Sequence, residues 1–308
     1  MSRNLGRNPI FFILRGFILS HNYFPDYDLR NHFRFVLLRF ARLWPVHVLA
    51  FVSVFLLFPQ VFSWSRVVEE LAMIRCWFHP DNAWNVPAWS ISVEWFAYLF
   101  LFPVAFFLFR YPGSWWLIAI LVGVFFFLQG AWMNSISFFN RCNSIPFLFL
   151  AGAGLYRLKC VIKKFPFPEI WVLASLGCVA WVLLAGYVPS AGFIYAVFGL
   201  FVFSLSYEQG TIAKILSCNL LVFGGLASYS LYMLHWPLLM ISDEFISHWN
   251  VAHCNTVVCA LWILMYLIIC LLVASLCYRY VEEPANWKLR GFIFGNETSR
   301  IRKGAVPG

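Results

Sequence analysis

Charge is what this chain has least of. Only 11% of its 308 residues are Asp, Glu, Lys or Arg, against about 25% in a soluble domain, so its surface is not composed for water. Its nine cysteines form no Cys-x-x-Cys pair, which excludes the common zinc and thiol-redox spacings. Most of them lie inside apolar runs, where Cys acts as a small apolar residue and not as part of a disulfide framework. The sequence shows no glycine-rich phosphate loop, no internal repeat and no small-residue cleavage site of a secretory leader. Metal, nucleotide-loop and repeat architectures therefore drop out first.

What is there is apolar. The chain is 62% hydrophobic and 20% aromatic, and stretches long enough to cross a bilayer recur along it. The reading is all-α and polytopic, with nine expected spans at about 9–24, 43–64, 88–110, 114–133, 145–158, 167–188, 190–207, 220–241 and 256–278. One domain is expected over 1–308, with its core at about 9–284 and a short cytoplasmic tail at 285–308.

The net charge of +9 does not point to nucleic acid. If sides alternate from a cytoplasmic Arg30, 16 of the 22 basic residues fall on that side, five on the other, and Arg15 within a span. That is the positive-inside pattern, which puts the C-terminus in the cytoplasm and the N-terminus outside. Cys76, Cys142 and Cys254 then face outward, with nothing to support a bridge between them.

The ionisable groups inside spans narrow the search. Ser90, Glu94 and Tyr98 are spaced by four, so a helix presents them as one polar stripe. A carboxylate at that depth is costly and has to be paired, hydrogen-bonded or neutral; it is a functional candidate, or else a polar tie between helices. Ser90 and Ser92 either donate to such a carboxylate or an acceptor, or bond back to their own helix. Arg15 in mid-span has to snorkel or find an acid. Ser228, Tyr232 and His235 share a helical face just before Pro237, which loosens the turn ahead of it. That face is either a pocket or an aromatic interface belt. His47 reads as structural, near an interface where polar side chains reach water. Arg39 and Arg42, three apart, are neighbours on a helical turn and suit either phosphate groups or anionic lipid.

Several of these stretches resemble the acyltransferase 3 family of integral-membrane O-acyltransferases, in family order. They are Phe11-Phe12-Ile13-Leu14-Arg15-Gly16-Phe17, Leu38-Arg39-Phe40-Ala41-Arg42-Leu43-Trp44-Pro45, and Trp89-Ser90-Ile91-Ser92-Val93-Glu94 with Tyr98 and Pro103. They continue in Ser228-Tyr229-Ser230-Leu231-Tyr232-Met233-Leu234-His235-Trp236-Pro237 and Tyr280-Val281-Glu282-Glu283-Pro284. In the family the Arg15 position is usually serine.

The resemblance implies ten helices, of which this sequence matches the second to the tenth. The family's catalytic histidine belongs to the first, and no histidine precedes His21 here, so the chain as given is expected to show little or no transfer. It further implies Glu94 in support of catalysis, Arg39 and Arg42 at the phosphates of a cytoplasmic acyl-CoA, and Ser90, Ser92, Tyr98, Tyr232 and His235 lining the substrate cavity. No bound cofactor and no metal are expected; acyl-CoA is a co-substrate. The partners are a hydroxyl acceptor (sugar, glycan or lipid-linked) and membrane lipid, in a cell's inner membrane. The alternatives are an exporter of glycan or acylated metabolite, with the carboxylate as proton relay, and a non-catalytic scaffold. The missing repeat weighs against the exporter.

Overall fold

The computed structural model describes residues 10–59, 64–79, 84–110, 144–185, 191–249 and 256–294. Among them every regular element is helical. Eight of the nine expected spans coincide with a described helix; the one at 114–133 lies outside the described residues. The helices are α1 (Ile10–Tyr23), α2 (His32–Leu57), α3 (Val67–Leu71), α4 (Arg75–Phe78), α5 (Ala88–Phe96) and α6 (Phe102–Phe109). They continue as α7 (Ser144–Val161), α8 (Pro168–Ala185), α9 (Ala191–Leu205), α10 (Thr211–Leu216), α11 (Asn219–Trp249), α12 (Thr256–Cys277) and α13 (Glu283–Phe294). Among the described residues, four helical runs are long and apolar enough to cross a membrane: Leu29–Leu57, Ala88–Phe109, Pro168–Ala185 and Thr256–Phe292. The chain is an all-α membrane protein. Leucine, isoleucine and valine side chains along α12 point outward, as lipid-facing helix surfaces do.

Helix α2 starts eleven residues before the expected span. Arg34, Arg39 and Arg42 therefore lie inside the helix and not in a loop before it. Arginine is a good helix former, so the helix runs on where the apolar signal stops. Likewise the expected tail after 284 is helical through Phe294.

The chain divides into two compact units. The first comprises Met1–His32 and Val93–Cys218; the second comprises Phe33–Ser92 and Asn219–Gly308. In the first, α1 packs along α7 and both touch α9. Two glycines make this crossing close. A Cβ on Gly16 would collide with the Phe149 carbonyl, and one on Gly152 with the Ile13 carbonyl. Backbones that near each other gain the van der Waals contact that holds helices together in lipid.

In the second unit, α11 packs along α12. The segment carrying α3 and α4 folds back against α2. Trp44 Nε1 donates to the Leu71 carbonyl at 3.2 Å, and His47 Nε2 donates to the Glu70 carbonyl at 2.7 Å. Helix α2 continues ten residues past His47 to Leu57, about 15 Å of rise, so α3 lies beside the helix and not beyond its end. His47 is buried. Its expected route to interfacial water is replaced by this backbone contact.

Pro103, Pro237 and Pro284 lie within long helical runs, and their consequences are local. Proline has no N–H and crowds the carbonyl four residues back. Ahead of Pro103 the chain widens into a π turn at Ala97–Leu101, and ahead of Pro284 into another at Tyr278–Glu282. The Leu99 carbonyl, freed by Pro103, accepts from His32 Nε2 at 3.2 Å. The Met233 carbonyl, freed by Pro237, accepts from Asn85 Nδ2 at 3.1 Å. The loosened turn that Pro237 predicts is thus filled by a side-chain donor.

Candidate functional site

In the first unit the chemistry gathers at Glu94. The carboxylate, on α5, is 3% exposed. Tyr98 lies in the π turn, one helical turn later, and its hydroxyl donates to Glu94 Oε1. Arg15, from α1, forms an ion pair with the same oxygen and donates through Nη1 to the Tyr98 hydroxyl at 3.1 Å. The guanidinium also lies over the Phe11 ring, 5.2 Å from its centroid. The mid-span arginine and the mid-span carboxylate thus answer each other. Close by in sequence, Tyr27 hydroxyl donates to His32 Nδ1 at 2.6 Å. With Nε2–H turned to the Leu99 carbonyl, that places a neutral imidazole behind the π turn.

The second unit has its own buried carboxylate, Glu282, at the end of the other π turn. Ser230, on α11, is fully buried and donates to Glu282 Oε2 at 2.5 Å. Arg42 lies within electrostatic reach of Glu282 and of Tyr278. Next to Arg42, the Leu43 carbonyl accepts from the Tyr229 hydroxyl at 2.7 Å. The Arg-x-x-Arg stretch, the Ser-Tyr-Ser stretch and the Val-Glu-Glu-Pro stretch therefore meet in one unit.

Of the residues expected from sequence, Glu94 and Tyr98 are joined directly. Ser90 donates back to the Pro87 carbonyl at 3.0 Å, the local bond that competes with a functional role. Ser92 is buried, and its Oγ has no hydrogen-bond partner among the described residues. The Arg39 guanidinium lies 5.7 Å from the ring centroid of Phe35 on the same helix. Tyr232 and His235 belong together: His235 Nδ1 donates to the Tyr232 carbonyl at 2.7 Å, and the rings lie 5.9 Å apart. The His235 carbonyl in turn accepts from Tyr266 at 2.9 Å. Cys76 is buried; Cys142 and Cys254 lie outside the described residues.

Ser230, Glu282 and His32 are additions that sequence reasoning did not name as site residues. Ser230 and Glu282 lie in stretches quoted for their resemblance. The sign that would have found them is their chemistry, a hydroxyl and a carboxylate inside apolar helices.

Among the described residues no group of His, Cys, Asp and Glu is placed to hold a metal ion. The arrangement offers two hydrogen-bonded carboxylates in apolar surroundings, and arginines suited to a phosphate-bearing ligand. A family model described as an acyltransferase domain matches residues 7–283. No curated protein and no solved structure matches the chain.

Proposed function

The chain belongs to the acyltransferase family whose model covers it, and from that premise we propose that it is an O-acyltransferase working between acyl-CoA and a hydroxyl acceptor. The acceptor hydroxyl attacks the thioester carbonyl, its proton passes to a base, the C–S bond breaks, and CoA leaves as its thiol. Arg39 and Arg42 bind the CoA phosphates from helix α2, because guanidinium forks match phosphate oxygens. Glu94 holds charge near the reacting centre through Tyr98. Ser90, Ser92, Tyr232 and His235 line the acceptor's path. CoA enters from the cytoplasmic face that the basic residues mark, and the C-terminus lies on that side.

The observation that carries this reading is the family match over residues 7–283, which contains every one of these side chains. Two measurements on the protein in lipid nanodiscs test it. Replacing Arg39 and Arg42 with alanine weakens binding of a non-hydrolysable acyl-CoA and flattens its salt dependence. Adding a family-type first helix raises acceptor-dependent release of CoA thiol, and Glu94→Gln abolishes that gain. Undiminished binding removes the arginines from the CoA site; undiminished release removes Glu94 from the reaction.

One observation favours a second reading, a family member without transfer activity. Arg15 closes an ion pair on Glu94, which engages the carboxylate in structure. Under that reading Arg15→Ser opens the pair and produces thiol release that the parent chain lacks.

A further inference from the structure

In the first unit, a short connection joins α7 to α8: Ile162-Lys163-Lys164-Phe165-Pro166-Phe167. Its middle is pinned inward. The Phe165 ring centroid lies 5.2 Å from that of Phe203 and 5.6 Å from that of Tyr207, and the Tyr207 hydroxyl donates to the Ile162 carbonyl. Its end is turned outward. Phe167 is 72% exposed at a φ of 50°, in a backbone region that bulky L residues rarely adopt. Pro168 contributes to this, because the residue before a proline is kept out of the right-handed helical region. The Phe167 carbonyl still accepts from the Ile170 and Trp171 N–H groups at 3.1 and 3.4 Å. Helix α8 therefore starts from a strained residue whose ring is held in the open.

The depth of that ring follows from α8. The helix is apolar enough to cross a membrane over its 18 residues, a rise of about 27 Å that is close to the full thickness of the hydrocarbon. The crossing uses the whole helix, so Phe167 falls at the boundary. Ile170 and Trp171, on the first turn inside, are 60% and 42% exposed. Lys163 and Lys164 lie outside both helix ends and are exposed. Among the described residues neither lysine makes a hydrogen bond or an ion pair. Their charged neighbours are engaged. Lys159 Nζ donates to the Ser206 carbonyl at 2.8 Å. Glu208 Oε1 accepts from the Gly210 N–H at 2.5 Å, and the Glu169 carboxylate packs on the same glycine, where a Cβ would collide with it.

The mixture selects the partner's chemistry. Two ammonium groups call for an anion, and the aromatic and aliphatic surface beside them calls for hydrocarbon. A soluble anion supplies only the first, and an uncharged chain only the second. A zwitterionic phospholipid offsets its phosphate with its own ammonium. A phospholipid of net negative charge supplies an anionic headgroup and then acyl chains, in the order in which this surface would meet them.

We propose that Lys163, Lys164, Phe167, Ile170 and Trp171 form a binding surface for an anionic phospholipid of the surrounding leaflet. The surface stands on these contacts and does not rest on acyl transfer.

The test uses the full chain with photoreactive benzoylphenylalanine in place of Phe167, in nanodiscs of equal parts phosphatidylserine and phosphatidylcholine. After irradiation, mass spectrometry of the peptide carrying position 167 identifies the lipid attached. Phosphatidylserine is captured in excess, and high salt reduces the excess. Lys163→Gln and Lys164→Gln each lower it about fivefold at most, the worth of one basic residue at an anionic surface. Lys288→Gln, an exposed lysine of the other unit, leaves it unchanged. Thermal unfolding shows that the variants fold; the competition between the two lipids in the parent chain decides the matter if they do not. Equal capture of both lipids overturns the proposal, and capture of neither places position 167 away from the membrane and overturns it as well. Loss of the excess on adding inorganic phosphate at constant ionic strength assigns the lysines to a soluble anion. An excess that survives loss of both lysines, or that falls equally in Lys288→Gln, reports general surface charge. Each of these results also overturns it.

Discussion

Glu94 and Glu282 invite comparison because their surroundings rhyme. Each is a buried carboxylate beside a π turn that runs into a proline, and each accepts a hydroxyl hydrogen bond, from Tyr98 in one unit and Ser230 in the other. They differ in the cation. Arg15 touches Glu94, whereas Arg42 acts on Glu282 without a direct bond between them among the described contacts. The first centre is closed on itself. The second leaves an arginine with capacity to engage something else. Burial of a carboxylate thus says little about its role until the cation's distance is known, because a direct pair satisfies the charge where it stands.

The largest test of that contrast removes the cation from each centre. Arg15→Met strands the Glu94 carboxylate and is expected to destabilise the protein by about 3–5 kcal/mol, as breaking a buried pair does. Arg42→Met is expected to change stability by less than about 1 kcal/mol and to act on acyl-CoA binding instead. Thermal and denaturant unfolding in nanodiscs measures both. Equal destabilisation would dissolve the distinction between a closed and an open centre.

Next in size is a change that moves Arg15 without altering it. Gly152→Val drives a side chain into the α1 backbone at Ile13 and should cost about 3 kcal/mol, the upper range for overpacking. It should also make the effect of a subsequent Arg15→Met much smaller, since the pair is already displaced; full additivity would show that the helix crossing does not position the arginine. Among the described residues, no glycine of the second unit meets a neighbour in this way.

A smaller effect belongs to the hydroxyl donors. Ser230→Ala is expected to cost about 2 kcal/mol, the range for a hydrogen bond to a charged group. Tyr98→Phe should cost less, because Arg15 still holds Glu94. The reverse order would mean that Glu282 has partners as strong as those of Glu94.

The smallest effect concerns the freed carbonyls. His32→Phe leaves the Leu99 carbonyl without its donor and should cost about 1 kcal/mol. In a Pro103→Ala background, where the chain's own N–H is restored, the cost should vanish. A cost that survives there assigns His32 some duty other than capping.

Much of the helix order could be read from the sequence, because a bilayer demands long apolar runs and the chain supplies them. The start of α2 could not. Apolarity stops at Arg42, but the backbone hydrogen bonds do not, and Arg34 to Arg42 extend the helix. The cost of Arg15 and of Glu94 was legible separately, as charges within spans. That they pay each other off was not, since 79 residues separate them and periodicity speaks only about one helix at a time. Ser90 was legible as a choice between two bonds, and it makes the local one. The pairing of Ser230 with Glu282, 52 residues apart, rests on helix packing that no local pattern encodes. His47 was misplaced for a related reason: the fold-back of α3 onto α2 depends on contacts across a connection, where hydropathy carries no register.

The capping of the freed carbonyls has a consequence for how the chain is made. In both cases the donor precedes its acceptor in sequence, His32 by 67 residues before Leu99 and Asn85 by 148 before Met233. Synthesis runs from the N-terminus, so each cap leaves the ribosome well before the carbonyl it will cover. A helix broken by proline then enters the bilayer when its missing donor is already there, and the exposed oxygen spends little time in lipid. Moving the same cap downstream of its proline would keep the final contacts and lengthen that interval. Such a swap should show its harm in insertion yield and not in the stability of the finished protein.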